Sequence, residues 1–425
     1  MSIYTLSLNC VNHDSSLAVF KDDKVIFFHK AERSSRIKHD YSFDLDIINY
    51  IKNKIVKDID ILIIGSQPTS VVDHIYRSFK IKKTVLLKNL SSECQKLIEK
   101  NKLENFTHHS SHAMSGFYMS PFDEAVCLVA DAVGESFTFP TEDAIKQNKL
   151  GKPNMHVYGI RGHETTSIFE INKNYRIKSL YKRSQAFPVL LHDVKSLGVI
   201  PISHIGAGLH HYGNPLKRFK KFNFVSDMSQ HSDIGIMYQT ISMHLNFGVD
   251  GSGKVMGLSA YGENDPALPP FLAGDTIYAN SNLFLMGREL NYHLHPELFT
   301  DLSFQKKANL AYSMQRTLEK AFLHHAEFIK QNSKIRNLVI GGGCALNILG
   351  ISLIKQHYPE FNIYVDPIAD DATHAIGQGI HFYNLLAANC NSQKANVFNS
   401  IYLGPEYQTT QMIRDIDEYM AQFNN

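Results

Sequence analysis

The sequence predicts an α/β fold built from two related halves, because one strand pattern occurs twice and because strands alternate with helices towards the C-terminal end. The first occurrence of the pattern comprises the apolar segments Tyr4–Leu8, Leu17–Phe20 and Val25–His29. The second comprises Ala125–Ala130, His156–Ile160 and Thr165–Ile171. A repeated three-stranded meander with helices behind it is typical of a duplicated actin-like fold, in which two subdomains with mixed sheets flanked by helices enclose a central cleft.

The C-terminal half alternates helices and strands, which indicates a sheet covered by helices. An amphipathic helix is predicted over Ala308–Lys330, where apolar residues recur at helical spacing. The elements after it are strand Asn337–Ile340, loop Gly341–Asn347, a helix to about Gln356, strand Asn362–Val365, loop Asp366–Gly379 and a helix through Leu386. In this architecture the functional loops lie at the ends of strands.

The length of 425 residues fits two domains or one duplicated body. Residues 1–123 are predicted to form the first part of the body and residues 124–390 the second part, with a basic insertion at about 172–225. Residues 391–425 lack a strong apolar period and are predicted to form a tail or the stub of a further domain.

The composition is that of a folded globular protein, with 44% apolar and 20% charged residues. The net charge of +2 excludes a strongly polybasic or polyacidic chain. Five cysteines without a CxxC pair indicate a reduced, cytoplasmic compartment. No signal peptide is evident, and the long uncharged run Leu338–Ile354 contains four glycines, so we expect no membrane span.

Two histidines are candidate metal ligands. His108 and His112 are four residues apart, a spacing that places both imidazoles on one face of a helix, while His109 points elsewhere. With 22 histidines in the chain, a pair at this spacing also fits a polar helix face beside a loop.

Acidic residues at two strand ends strengthen the metal hypothesis. Asp131 follows a predicted strand directly, and the pair Asp370 and Asp371 lies in a loop between a strand and a helix. Two histidines together with one or two carboxylates suit iron or zinc.

Two glycine-rich segments are candidates for phosphate binding. Gly341–Asn347 lies between a strand and a helix, where glycines permit close approach of a ligand and the helix N-terminus offers free N–H groups. A tight turn without a ligand explains the same pattern. In Gly251–Gly262, Lys254 is placed to neutralise an anion, although the segment does not match GxxxxGK[ST].

Seven segments, in order and at matching spacing, resemble the O-carbamoyltransferase family of nodulation and antibiotic-tailoring enzymes. They are NHDSS at 12–16, AERSSRIKHD at 31–40, HHSSHA at 108–113, SPFDEAVCLVADAVGE at 120–135, GKVMGLSAYG at 253–262, GGGCALN at 341–347 and DDATHAIGQG at 370–379. The resemblance implies an actin-like body similar to the subunit that transfers threonylcarbamoyl groups to tRNA. It also implies an enzyme that moves a carbamoyl group from carbamoyl-adenylate to a hydroxyl of an acceptor.

Carried over position by position, the resemblance implies that His108, His112, Asp131 and Asp371 hold a divalent metal. Iron is the preferred metal and zinc the alternative. Asp371 is chosen over Asp370 because it keeps the register to the following Ala-Ile-Gly segment. A Lewis-acidic metal at this position would polarise the carbamoyl carbonyl.

The resemblance also assigns the remaining site residues. His13 would be the general base that takes the acceptor's hydroxyl proton, although a turn histidine that bonds its own backbone is the alternative. Gly342, Gly343 and Asn347 would lie against the adenylate, with Lys254 near them.

The donor and the partners follow from the same family. Its members make carbamoyl-adenylate from carbamoyl phosphate and ATP in a YrdC-like domain, and this chain ends about where that domain would begin. A separate YrdC-like adenylating subunit is therefore an expected partner, and a homodimer is another; a degenerate or regulatory copy is the alternative. The glycine often found after the strand-end aspartate is Ala132 here.

The segment at 172–225 carries ten basic residues, one acidic residue and interleaved aromatic residues. A solvated basic face explains this composition. The alternative is an acceptor site for a polyanion, in which lysines neutralise phosphates and aromatic rings stack on bases. Because some relatives act on hydroxymethylated pyrimidines, the acceptors considered are a sugar, a natural product and such a base in a nucleotide or in DNA.

Two other functions stay open beside the carbamoyltransferase. An actin-like sugar kinase needs Mg²⁺ and a carboxylate base but no paired histidines, so the HHSSHA segment disfavours it. A non-catalytic scaffold that binds nucleotide and a separate adenylating subunit is disfavoured by the intact set of site residues.

Overall fold

The computed structural model describes most of the chain. The described residues are 2–9, 14–40, 45–65, 69–86, 108–134, 136–140, 157–191, 225–229, 232–284, 289–291, 293–298, 300, 302–386, 400, 403–404 and 409–421. The predicted base His13 and the greater part of the basic segment, residues 192–224, lie outside these ranges.

The first half of the chain forms a five-stranded mixed sheet. Its strands are β1 (Tyr4–Asn9), β2 (Ser16–Lys21), β3 (Lys24–Lys30), β4 (Ile59–Ile64) and β5 (Ile81–Leu86), in the spatial order β3-β2-β1-β4-β5. β1, β2 and β3 pair antiparallel, whereas β4 pairs parallel to β1 and β5 parallel to β4. The helices of this half are α1 (Glu32–Ser35), α2 (Leu45–Tyr50), which continues as a π-helical turn over Ile51–Ile55, and α3 (Thr69–Ser78).

The two faces of β1 illustrate how this sheet is packed. Leu6 and Leu8 are buried in one apolar cluster with Ile48 of α2 and Ile75 of α3. The alternate residues Thr5, Ser7 and Asn9 are also fully buried, but on the opposite face. The sheet is therefore covered on both sides.

The second half forms a seven-stranded mixed sheet. Its strands are β6 (Glu124–Ala130), β7 (Ser136–Pro140), β8 (Val157–Asn172), β9 (Ile177–Leu191), β10 (Val225–Ser229), β11 (Asn337–Gly341) and β12 (Asn362–Val365). The order is β10-β9-β8-β6-β11-β12, with β7 paired to β8. The helices are α4 (His108–Met119), α5 (Ile234–His244), α6 (Ser252–Ser259), α7 (Phe304–Asn332), α8 (Ile348–His357), α9 (His374–Leu386) and α10 (Thr409–Ala421).

The strand order of the first sheet is repeated in the second. In the run β9-β8-β6-β11-β12, the first three strands are antiparallel and the last two are parallel to β6, as in β3-β2-β1-β4-β5. This repetition confirms the predicted duplicated α/β, actin-like fold with two mixed sheets flanked by helices.

One detail of the strand prediction is wrong. The segments His156–Ile160 and Thr165–Ile171 were expected to be two strands, but Val157–Asn172 is one long strand, β8. The polar residues between the segments pair with β9, and two register shifts let β8 stay paired through them. The third strand of the repeat is therefore β9, which lies inside the segment predicted to be a basic insertion.

Two of the basic residues of that segment belong to the interior. Lys182 Nζ lies 3.1 Å from Glu164 Oε1, and Arg183 Nε lies 3.5 Å from Asp233 Oδ2. All four side chains are buried, and Tyr175 is buried as well. Lys182 and Arg183 therefore balance buried carboxylates and are not available to bind a polyanion.

The longest described helix, α7, is amphipathic. Its apolar face, which includes Leu310, Met314, Leu318 and Phe322, packs into the core of the second half. Across the described part of the chain, no helix is long and apolar enough to cross a membrane.

Helices α4 and α9 approach each other very closely. A Cβ atom on Gly377 of α9 would lie 2.0 Å from the backbone oxygen of Ser111 in α4. Residues 109–119 of α4 are all buried, and β11 packs against the same helix, where a Cβ on Gly116 would lie 2.9 Å from Val339 Cγ1. Glycine at position 377 thus permits a helix contact that no larger residue allows.

We predict that Gly377→Ala lowers the free energy of unfolding by about 1–3 kcal/mol, because the added methyl group meets backbone that cannot rotate away. Gly257→Ala is the matched control, since a Cβ on this helical glycine of α6 meets nothing within 4 Å. The control should raise stability by about 0.5–1 kcal/mol. Chemical denaturation of both variants measures the difference, and equal stability of the two would contradict the close contact.

Candidate metal centre

The first turn of α4 places two imidazoles side by side. The ring centroids of His108 and His112 are 5.0 Å apart, and His112 is fully buried. His109 turns away from them, with its Nδ1 2.8 Å from Ser167 Oγ of β8. The helical spacing predicted for the histidine pair is therefore realised.

Two carboxylates reach the same imidazoles from neighbouring strand ends. Asp131 follows β6, and Asp371 lies in a 3₁₀ turn, Asp371–Thr373, after β12. Asp131 Oδ2 is 3.2 Å from His108 Nε2, and Asp371 Oδ1 is 3.3 Å from the Nε2 atoms of both His108 and His112. Because β6, β11 and β12 are parallel, their ends lie at one edge of the sheet and bring the two acids together.

A third histidine belongs to the cluster and was missed by the sequence reasoning. His374, the first residue of α9, has its Nε2 3.3 Å from His108 Nε2 and 3.7 Å from Asp371 Oδ1. One ligand atom from each of His108, His112, Asp371 and His374 lies within 4.8 Å of the other three. The available signal was the spacing of Asp371 and His374, which are three residues apart at a helix start.

The cluster fits a divalent metal on its own chemistry. His112 Nε2 is buried and, although 3.3 Å from Asp371 Oδ1, makes no hydrogen bond with the residues that the structure describes. Burying nitrogen and carboxylate groups without full pairing is costly, and a cation would satisfy them together. Imidazole nitrogens with carboxylate oxygens are the donor set that iron and zinc accept.

The charges of the cluster are strongly coupled. Burial opposes the protonated form of His108, but Asp371 and Asp131 outweigh it and raise its pKa well above the usual value. Burial likewise disfavours the charged form of Asp371, yet the histidines hold its pKa well below the usual value. Burial and the neighbouring histidines lower the pKa of His374 to about 3. Without a metal, a proton on His108 therefore balances the carboxylates, and metal binding would displace it.

The first sheet holds the loop that carries Asp371. Asn9 Nδ2 of β1 donates to the Asp371 backbone oxygen at 2.8 Å, and Ser16 Oγ of β2 donates to the Ala372 oxygen at 2.7 Å. Lys30 Nζ of β3 lies 2.7 Å from Asp370 Oδ2. Both halves of the chain thus determine the position of one acidic residue.

The buried Lys30 also reaches the segment next to the predicted base. Its Nζ lies 2.8 Å from Asp14 Oδ1, and His39 Nδ1 is 2.9 Å from both oxygens of the same carboxylate. Asp14 has a φ of 56° and is almost fully buried. The Asp14 side chain, next to His13 in the sequence, is therefore held by the Lys30 ammonium and the His39 imidazole.

The predicted nucleotide-binding residues have structural uses of their own. Gly342 has a φ of 81°, and a Cβ there would lie 2.4 Å from the Ala130 oxygen. Asn347 caps α8 by accepting from Gly350 N at 3.0 Å and exchanges hydrogen bonds with the Gln315 amide. These contacts explain the sequence of the loop without a ligand, and the Asn347 side chain is committed to them.

The other two predicted nucleotide contacts, Gly343 and Lys254, are both exposed. Gly343 is exposed, and a Cβ on it would lie 3.2 Å from Asp131 Oδ1, so this residue borders the candidate metal centre. Lys254 lies on the exposed side of α6, with its ammonium 5.9 Å from the Phe247 ring centroid.

A cavity of about 670 Å³ opens beside the loop that carries Asp371. Its wall includes Lys30, Arg33 and Arg36 from the end of β3 and from α1, and Asp370 from the loop. Arg33 is 73% exposed, with its Nη2 3.8 Å from Glu32 Oε1, and Arg36 is exposed as well. Because Lys30 is paired with Asp14 and Asp370, the two arginines are the side chains of this wall that suit an anion.

Similar proteins were found at the level of family, sequence and fold. The family model "Carbamoyltransferase N-terminus" matches residues 66–380. The uncharacterized protein sll1178 of Synechocystis sp. is 25% identical over 450 aligned residues, which cover 95% of this chain and 61% of the relative. Nodulation protein NolNO of Sinorhizobium fredii is 21% identical over 419 residues, which cover 94% of this chain and 50% of the relative.

Solved structures with a related fold are more distant. HypF of T. kodakarensis is 14% identical with a TM-score of 0.45, over 91% of this chain and 49% of that protein. Component A of the Acidaminococcus fermentans (R)-2-hydroxyglutaryl-CoA dehydratase is 11% identical with a TM-score of 0.41, over 91% of this chain and all of that protein.

The family match covers well over half of the chain, and it includes α4, the strand ends and the turn that form the metal cluster. The chain spans between one half and about three-fifths of the length of the curated relatives that it matches. The chain therefore belongs to the carbamoyltransferase family that is defined by this N-terminal domain.

Proposed function

We propose that this chain is the transferring part of an O-carbamoyltransferase that depends on a divalent metal. The observation that carries the proposal is the convergence of His108, His112, Asp131 and Asp371, which lie far apart in the sequence, at distances of 3.2–3.8 Å. Family membership supplies the reaction type, and iron or zinc is the metal that suits the donors.

The side chains of the centre would have two roles, to supply charge and to hold the metal in position. When bound, the metal would polarise the carbamoyl carbonyl. Asp371 contributes negative charge to the centre and is held in place through its own backbone oxygen by Asn9. The imidazoles of His108 and His112 project from a helix whose residues 109–119 are all buried. The packing of this helix restricts the movement of the two proposed ligands.

The proposed base is His13, which would take the proton of the acceptor hydroxyl. The observation that supports this role is the anchoring of the next residue, Asp14, between Lys30 and His39.

The proposed donor is carbamoyl-adenylate, made from carbamoyl phosphate and ATP by a YrdC-like unit. The cavity beside the loop supports an anionic donor, because the exposed side chains of Arg33 and Arg36 lie in its wall. The proposed acceptors are a sugar, another small hydroxyl compound or a hydroxymethylated pyrimidine.

A sugar kinase fits the same fold but not this centre. Kinases hold Mg²⁺ through carboxylates, phosphates and water, because this small cation prefers oxygen ligands. Three imidazoles around one point make a poor Mg²⁺ site.

The reaction is tested by supplying carbamoyl-adenylate, or carbamoyl phosphate and ATP with a YrdC-type protein, and screening sugars, nucleosides and hydroxymethylated DNA by mass spectrometry. We expect the mass of one carbamoyl group to appear on a hydroxyl of one acceptor. Transfer of a phosphate group to the acceptor would indicate a sugar kinase instead. Binding of the donor without any product would indicate a non-catalytic scaffold.

We predict that Asp371→Asn removes the bound metal and lowers carbamoyl transfer by about 100-fold or more, because the centre loses a charged ligand. The control is His109→Gln, a change of a buried histidine on the same helix whose Nδ1 faces Ser167. Metal content is measured by elemental analysis and activity by initial rates, on both purified variants. Full activity of Asp371→Asn with no bound metal would refute the proposed role of the metal.

We predict that Arg33→Ala and Arg36→Ala raise the KM for carbamoyl-adenylate by about 10-fold each while kcat changes little, because an exposed cation contributes to ground-state binding. Arg77→Ala removes the same charge from the exposed side of α3 and serves as the control. A fall in kcat at unchanged KM would place the donor elsewhere.

A further inference from the structure

We infer that His374 is itself a metal ligand, so that the centre holds its ion with three imidazoles. The inference rests on the proposed metal dependence, which it extends to a residue that neither the sequence motif nor the family assignment singles out. His374 is almost fully buried at the start of α9, and its ring centroid lies 4.1 Å from that of His108 and 4.5 Å from that of His112.

The spacing of the donor atoms carries the inference. Ligand atoms about 2.0–2.1 Å from a tetrahedral metal are about 3.3 Å from one another. His108 Nε2 is 3.3 Å from His374 Nε2, and the oxygen of Asp371 is 3.3 Å from His108 Nε2, 3.3 Å from His112 Nε2 and 3.7 Å from His374 Nε2. Four of the six edges among His108, His112, Asp371 and His374 thus match those of a metal tetrahedron to within a few tenths of an ångström. Asp131 lies outside this set of four and contacts it through His108 Nε2, 3.2 Å from its Oδ2.

An ordinary core histidine would be placed differently. A core imidazole commonly directs one nitrogen to a hydroxyl or carbonyl, as His109 directs its Nδ1 towards Ser167 Oγ. His374 Nε2 instead faces another imidazole nitrogen and a carboxylate, both of which already contact further ligands of the cluster. Nitrogen atoms that face one another across a buried space are the arrangement expected around a cation.

Three imidazoles define the metals that the centre accepts. Imidazole binds iron, zinc, cobalt and nickel well, whereas magnesium, calcium and manganese prefer oxygen ligands. We therefore expect the chain to bind Zn²⁺, Fe²⁺ or Co²⁺ in the presence of excess Mg²⁺.

Direct ligation is tested with Co²⁺ as a spectroscopic probe and the full chain. In His374→Cys, a thiolate at the ligand position should produce a thiolate-to-cobalt charge-transfer band in the near ultraviolet that the unmodified chain lacks. His381→Cys is the control, because His381 is equally buried on the same helix, two turns further on. No new band is expected there.

The second measurement is affinity by chelator competition. We expect His374→Ala to weaken Co²⁺ and Zn²⁺ binding by about 10- to 100-fold, and His381→Ala to leave it at the value of the unmodified chain. If His374→Ala fails to fold, His374→Gln, which preserves most of the volume, replaces it.

The outcomes separate the inference from the function on which it rests. If the unmodified chain binds neither Co²⁺ nor Zn²⁺, both the inference and the proposed metal dependence are wrong. If it binds them but His374→Cys shows no band and His374→Ala or His374→Gln binds normally, only the inference is overturned. A metal bound through His374 without carbamoyl transfer to any acceptor would overturn the function and leave the ligand assigned.

Discussion

The contact between helices α4 and α9 is the constraint on which the candidate site depends. Gly377 lets the two backbones touch at Ser111, and one turn before this contact α9 presents His374 to the imidazoles of α4. A larger residue at 377 would separate the helices, and the distance of 3.3 Å between His374 Nε2 and His108 Nε2 would be lost. The packing of two helices therefore sets the spacing of donor atoms to within tenths of an ångström, which is the accuracy that a metal requires.

The electrostatics of the interior reinforce this geometry. Buried carboxylates are tolerated only with compensating partners, and the described part of the chain supplies a partner for each of three: Lys182 for Glu164, Arg183 for Asp233 and Lys30 for Asp14. The first of these pairs joins β8 to β9, the second joins β9 to the N-cap of α5, and the third joins β3 to the loop before β2. In the cluster itself the groups beside the carboxylates are imidazoles, which can lose a proton and bind a metal ion. This property distinguishes a candidate metal site from a structural ion pair.

The spacing of apolar residues predicted the fold, because residues that face the core recur at regular intervals along each helix and strand. His108, His112 and Asp131 were proposed because each has a local signature, a helical spacing or a strand end, and Asp371 was chosen over Asp370 on the family resemblance. The spacing of His374 from Asp371 is a weaker local signal, because its place in the cluster arises from helix packing against His108, 266 positions away. The basic composition of the segment at 172–225 suggested an exposed or anion-binding face, but Lys182 and Arg183 are buried. A count of charges does not tell which side of a strand each residue faces. The glycine and asparagine of the 341–347 loop fit a phosphate loop in pattern, yet Ala130 and Gln315 explain both residues.

The duplication explains why one fold can host such different chemistry. The two sheets share a strand order, so their strand ends face a common region, and the residues placed there decide the reaction. Here the second sheet contributes Asp131 and Asp371, the helix entering it contributes two histidines, and the first sheet contributes the polar groups that hold the Asp371 turn. A metal bound among them would link the two halves of the chain directly, because the position of its acidic ligand is fixed by strands of the other sheet. Assembly of the centre therefore depends on the packing of both sheets, because Asn9 and Ser16 of the first sheet hold the turn that carries Asp371.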